Sequence, residues 1–298
     1  MRTCRRTPID FPLASLLLKS PHGPIPSFSA PCKHPPHPIK SLDPVSVKEA
    51  RIGPAGGLEF DRAWALYSVD GQWVNGKRNA AIHLIRAAFA PDFSSVVFSV
   101  PGDSRKIPTK TFAFPGDTAS ASKWFSNFFS QPITVRHAPE GFPDDTIANG
   151  PTIISTASLE AVCGLFPGMA IEDARLRFRT TLEIDGDRSA AAPAEVPAFW
   201  EDQLFGEEER SVVRFRIGEV NFEGSTPCAR CPVPPRDPHT GVIIPGFQKI
   251  FTDYRRSHIP AWCPESRFDH YYRLATNTRV ASTEAGKILR VGDSVVLF

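Results

Sequence analysis

The chain has no stretch of the roughly 18 to 20 consecutive apolar residues that a membrane helix needs; the nearest run is the short segment Phe11 to Leu18. It also lacks a charge bias: 34 basic residues face 32 acidic ones, so no single-sign field recommends duplex nucleic acid or an anionic membrane as a partner. Cysteine is sparse, six in 298 residues at irregular spacing, which excludes the secreted disulfide scaffold of small domains and points to reduced, cytoplasmic thiols. No Gly-x-Gly-x-x-Gly and no Cys-rich iron–sulfur spacing occurs, and there is no internal repeat or heptad pattern. What the chain does have is length for one large or two packed domains and 41% hydrophobic residues for a core.

Residues 1–37 stand apart. Arg2, Arg5, Arg6, Lys19 and Lys33 are balanced only by Asp10, and Pro21, Pro24, Pro26, Pro31, Pro35 and Pro36 crowd the second half. The composition predicts a disordered leader, with organelle targeting as the alternative that its Arg-rich, acid-poor character leaves open.

Beyond it, short alternating segments bounded by turn residues predict strands at Trp64 to Val69, Ser95 to Val100, Ile133 to Val135, Val212 to Ile217, Val220 to Phe222 and Ile288 to Phe298. Leu176 to Ile184 alternates as well and reads as another strand. Asp70-Gly71 predicts a type I′ hairpin turn. Thr118 to Phe129 and Thr156 to Phe166 have helical spacing, and Gly186 to Pro197 reads as a loop. The expected class is α+β, mostly β: a β-barrel domain packed with a second barrel-like domain and few helices.

The chemistry concentrates at Thr-Pro-Cys-Ala-Arg-Cys-Pro, which holds Cys228 and Cys231. A Cys-x-x-Cys pair can be half a zinc site, a redox dithiol, or a thiolate ligand with a tuning neighbour. A zinc site would need further ligands from His258, Cys263 and His270. Pro227, Pro232, Pro234 and Pro235 argue for an extended loop rather than the strand-to-helix setting of a redox pair. Arg230 between the cysteines favours a thiolate, and a thiolate on a Pro-stiffened loop suits a soft metal. Downstream, Asp237 stands in Arg-Asp-Pro-His-Thr-Gly, either orienting a ligand near such a metal or simply shaping a turn.

Phe222 to Gly241 resembles the signature loop of the MOSC domain, named for the C-terminal domain of molybdenum-cofactor sulfurases. Pro38-Ile-Lys-Ser-Leu and Gly57-Leu-Glu-Phe-Asp-Arg-Ala-Trp resemble the start of the barrel domain that precedes MOSC in amidoxime-reducing enzymes, and Lys287 to Asp293 resembles the family's closing segment. The resemblance divides the chain into a leader at 1–37, an N-terminal barrel at 38–135 and a MOSC domain at 136–298. It implies a pterin-based molybdenum cofactor with Cys231 as metal ligand, contacts from Lys40, Ser41, Arg62, Arg179, Arg230 and Tyr271, and Asp237 beside the metal. It further implies an oxidoreductase acting on N-hydroxylated or N-oxide-type small molecules, with a separate ferredoxin- or cytochrome b5-like electron donor. A non-redox cofactor carrier or persulfide-transfer module is the alternative. The sequence departs from the family pattern where two Thr are usual and Pro234 and Pro235 stand, where Arg-Pro-Asn becomes Arg179-Thr180-Thr181, and where Ala229 replaces a frequent Ser.

Overall fold

A computed structural model describes residues 36–102, 105–142, 147–186 and 196–298. The expected leader, apart from Pro36 and His37, and most of the expected 186–197 loop therefore lie outside the described residues. Among the described residues no helix is long and apolar enough to cross a membrane.

The first half carries β1 (Glu49–Arg51), β2 (Trp64–Ser68), β3 (Trp73–Val74), β4 (Arg86–Phe89), β5 (Ser95–Ser99), β6 (Lys110–Ala113), α1 (Thr118–Phe129) and β7 (Ile133–His137). Two three-stranded sheets, β3-β2-β7 and β4-β5-β6, close around an aromatic core. Helix α1 buries Ala121, Trp124, Phe125 and Phe128, an i, i+3, i+4, i+7 stripe that packs on Phe98 and Phe112.

The second half carries β8 (Ile153–Ser155), α2 (Thr156–Cys163), α3 (Ile171–Phe178), β9 (Leu182–Ile184), β10 (Val213–Ile217), β11 (Val220–Ala229), α4 (Phe247–Ser257), β12 (Arg273–Arg279), β13 (Ile288–Arg290) and β14 (Val295–Leu297). Six of its strands form one half-barrel sheet in the order β14-β10-β11-β12-β8-β9, parallel only at β8-β9. Helices α2, α3 and α4 cover it through a second core that includes Phe178, Phe247 and Phe251. The protein is thus α+β and mostly β, with four α-helices among the described residues. The halves are tied by β1, which leaves the N-terminal region to pair antiparallel with β13 near the end of the chain.

Several local expectations change. The turn after β2 is not type I′: only Gly71 has a positive φ, 73°, and Gly71 N–H donates to Ser68 C=O while Ser68 N–H donates to Gln72 C=O. That is a three-residue loop with glycine in the left-handed position, which needs only one such residue. Leu176 to Ile184 is not one strand. Its first part is the last turn of α3, and the strand begins at Leu182. Leu176-Arg-Phe-Arg alternates like a strand, but Asp173 accepts from Ala170 N–H, Glu172 pairs with Arg175 at i, i+3, and Ala174 and Phe178 bury together at i, i+4. Arg179 ends the helix at φ 51°. The closing segment Ile288 to Phe298 is two strands around a Val291-Gly292-Asp293 turn. Pro227 and Cys228 belong to β11 rather than to an extended loop. The sheet accommodates Pro227, which has no N–H to give, at register irregularities between Gly224 and Thr226 and between Pro227 and Ala229.

Candidate functional site

A cavity of about 770 Å³ opens where the two halves meet. The end of β11 brings Cys228 and Ala229 to its wall and the segment after it Arg230, Cys231 and Val233, the end of α3 brings Arg177, Phe178 and Arg179, and the N-terminal half contributes Lys40, Ser41, Asp61, Arg62, Gly76, Lys77 and His83. Lys40, Arg62, Lys77, Arg177, Arg179 and Arg230 make six cationic side chains on the wall, against the carboxylates of Asp61 and Glu140.

Backbone strain aims several of these residues. Ser41, Arg62 and Arg179 all have positive φ, at 74°, 52° and 51°. Non-glycine residues adopt this region only where their surroundings hold them there. Lys40 Nζ donates to Phe142 C=O at 2.9 Å and lies 4.0 Å from the Trp73 ring centroid. Ser41 Oγ accepts from Gly76 N–H at 3.2 Å. Arg62 bonds Asp61, and Arg179 Nη2 donates to Leu42 C=O at 2.6 Å. Gly76 permits close packing, since a Cβ there would sit 2.9 Å from His83 Nε2.

Arg230 is pinned on three sides. It donates to Cys228 Sγ at 3.0 Å, to Leu274 C=O at 3.2 Å and to Phe178 C=O. The two cysteines are therefore not equivalent: Cys228 is engaged by Arg230 and packs partly on the second core, whereas Cys231 lies just past the strand, half-buried at the cavity. His83, buried in the short 3-10 turn Ala80–Leu84, is held neutral. Burial first, then the nearby charges of Arg179 and Arg236, lower its pKa to about 4.

Residues 35–132 match the family described as MOSC N-terminal beta barrel domain. These residues carry a MOSC N-terminal beta barrel domain. A search of curated proteins returns no match to the chain.

Residues inside and outside this domain, Lys40, Ser41, Arg62, Arg179, Arg230 and Cys231, come together on one cavity, although they span nearly two hundred positions of sequence. Tyr271 does not join them; its hydroxyl donates to Glu265 at 2.7 Å on an exposed surface. Asp237 also lies off the cavity wall. Its Oδ1 accepts from His239 N–H, Thr240 N–H and Thr240 Oγ1, and its Oδ2 lies 3.4 Å from Arg177 Nη2, so the carboxylate shapes a turn. Burial alone would raise its pKa, but those N–H and O–H donors and Arg177 keep it below the usual carboxylate range. The zinc alternative finds no assembled ligand set: among the described residues no three His, Cys, Asp or Glu side chains converge to hold a metal. Cys263 instead packs with Asp202 and Arg255, where burial pushes its thiol far up.

Sequence reasoning passed over Arg177, Lys77 and His83. Arg177 was hidden in the apparent strand alternation. Asn-Gly-Lys at 75–77 was legible only as a turn, and His83 carried no motif.

The wall chemistry fits a phosphate-bearing, sulfur-ligated group. One half-buried thiol is available, and cations converge from separate elements. The side-chain atoms Arg177 Nε, Arg230 Nε and His83 Nε2 are buried without hydrogen-bond partners around this one cavity. Folded proteins leave few such atoms unmatched.

Proposed function

We propose that the chain binds a pterin-based molybdenum cofactor in this cavity and acts as an oxidoreductase that removes oxygen from N-hydroxylated or N-oxide-type small molecules. The observation that carries this reading is the placement of Cys231 and six cationic side chains on one cavity wall between the two halves. When bound, the group supplies a two-electron redox centre able to accept an oxygen atom.

The chain's own residues hold and shield it. Cys231 is the thiol free to act as the protein's soft ligand, because Cys228 is already engaged by Arg230. Lys40, Arg62 and Arg179 supply charge-assisted donors for a phosphate, with Arg able to grip two oxygens at once. Lys77 adds a further cation on the same side. Neutral His83 brings polarity without another positive charge. Overall, reduction of an N–OH group consumes two electrons and two protons and releases water. The electrons come from a separate ferredoxin- or cytochrome b5-like donor, since the sequence carries no flavin, nicotinamide or iron–sulfur motif of its own. This chemistry suits the cytoplasm, where the Cys231 thiol stays reduced.

Metal analysis of purified protein tests the reading. Molybdenum should be lost in Cys231→Ser and retained in Cys228→Ser, whereas zinc lost from both would sink it. Turnover of a benzamidoxime-type probe with an artificial electron donor then separates enzyme from carrier: molybdenum-loaded protein that never reduces the probe would favour the carrier alternative.

A further inference from the structure

The segment after Cys231 carries Pro234 and Pro235, neither of which has a backbone N–H to anchor it. The structure shows what holds the loop instead. From 233 to 237 every backbone carbonyl has a partner within the protein. Val233 C=O accepts from Arg236 N–H at 2.8 Å, Pro235 C=O from Ile244 N–H at 2.9 Å, and Asp237 C=O from Gly241 N–H at 2.8 Å. The remaining two, Pro234 C=O and Arg236 C=O, both accept from Arg177 Nη1, at 3.1 and 2.5 Å. Arg177 Nη2 adds the 3.4 Å contact to Asp237 Oδ2. One guanidinium from the last turn of α3 thus reaches three residues of the loop, and its side chain is only 4% exposed.

We infer that Arg177 is the positioning residue of the Cys231 loop, fixing where the thiol stands on the cavity wall. Pro234 and Pro235 restrict φ but donate no hydrogen bond, so the prolines stiffen the loop without attaching it to its surroundings. Attachment must come from a donor elsewhere. Arg177 is suited to this because its planar fork satisfies several acceptors at once, which a lysine's single ammonium does less well. The neighbouring Arg175 cannot substitute, being committed to a buried bidentate pair with Glu183 at 2.8 and 2.6 Å. The inference deepens the proposed function, yet its core can be read without any cofactor.

The test measures alkylation of each cysteine by iodoacetamide, by mass spectrometry, in cofactor-free full-length chain. Cys163 and Cys263 serve as internal references. In Arg177→Met the Cys231 rate should rise about tenfold while Cys163 and Cys263 hold, because local opening of one loop exposes one thiol. Arg177→Lys should recover part of the difference. An unchanged Cys231 rate, or an equal rise at all three thiols, overturns the inference. If Arg177→Met fails to fold, Asp237→Asn, which removes the charge facing Arg177 but keeps an Oδ1 acceptor for His239 and Thr240, decides instead: a selective rise at Cys231 supports the role and no change refutes it. Because alkylation is read without metal, failure here is distinguishable from failure of molybdenum to bind, which the Cys231→Ser metal assay reports separately.

Discussion

His83 and Glu201 are buried titratable groups displaced in opposite directions. The Glu201 carboxyl accepts from Ser155 N–H at 3.1 Å and Ser158 Oγ at 2.9 Å, and burial, reinforced by neighbouring Asp202, raises its pKa from 4.5 to about 7. Its protonated form is favoured in the fold. The stability it contributes is therefore full below about 4.5 and is lost as pH rises through about 7. His83 runs the other way. Its pKa falls from 6.5 to about 4, so its contribution is present above 6.5 and is lost as pH falls through about 4. Thermal melts across pH should show Glu201→Gln losing less stability than the parent between about pH 5 and 8. Parallel curves for the two proteins would count against the assignment. Neither group was legible in the sequence, because a shifted pKa depends on what surrounds a residue, and Glu201 meets Ser155 and Ser158 only through tertiary packing.

Strand β11 carries the chain to the site, and its geometry is tightly constrained. Gly224 lies against Leu204, and a Cβ there would stand 1.7 Å from Leu204 C=O, which is backbone and cannot turn aside. Gly224→Ala should therefore cost at least about 3 kcal/mol, the upper part of the range for overpacking, as read by urea denaturation. A change below about 1 kcal/mol, the size of an ordinary point substitution, would show that the close approach is absent. At this scale the sequence was uneven. The stripe at Ala121, Trp124, Phe125 and Phe128 announced α1 with its observed limits. Leu176 to Phe178 misled because two turns of helix are too short for periodicity to separate 3.6 from 2, and the deciding bonds come from Asp173 and Glu172 upstream.

Across the whole molecule, the cavity exists because the two halves are held in register. Arg86 of β4 pairs with Asp43 at 3.1 Å and donates to Pro238 C=O at 3.0 Å and to His83 C=O at 2.5 Å, joining the N-terminal barrel to the turn beyond the Cys231 loop. At Gly241 a Cβ would lie 2.7 Å from Ala80 C=O, so that turn rests directly on the 3-10 segment bearing His83. Arg86→Ala should lower stability by about 1–3 kcal/mol, since hydrogen bonds to a charged group exceed neutral ones. It should also broaden the denaturant transition as the halves uncouple. An unaltered midpoint and slope would mean that the cross-link carries no weight.

The sequence by itself determined the α+β, mostly β class, helix α1 and the residue types of the site, because periodicity, turn residues and short motifs are local. Tertiary structure alone decided which of those residues meet. It placed Cys231 with Lys40, Arg62 and Arg179 while leaving Tyr271 on the surface, turned Asp237 into a turn residue, and brought in Arg177 and His83 without any motif. The physical reason is that convergence on a cavity depends on strand register, on helix ends such as Arg179 and on the packing of one half against the other, none of which a one-dimensional pattern encodes.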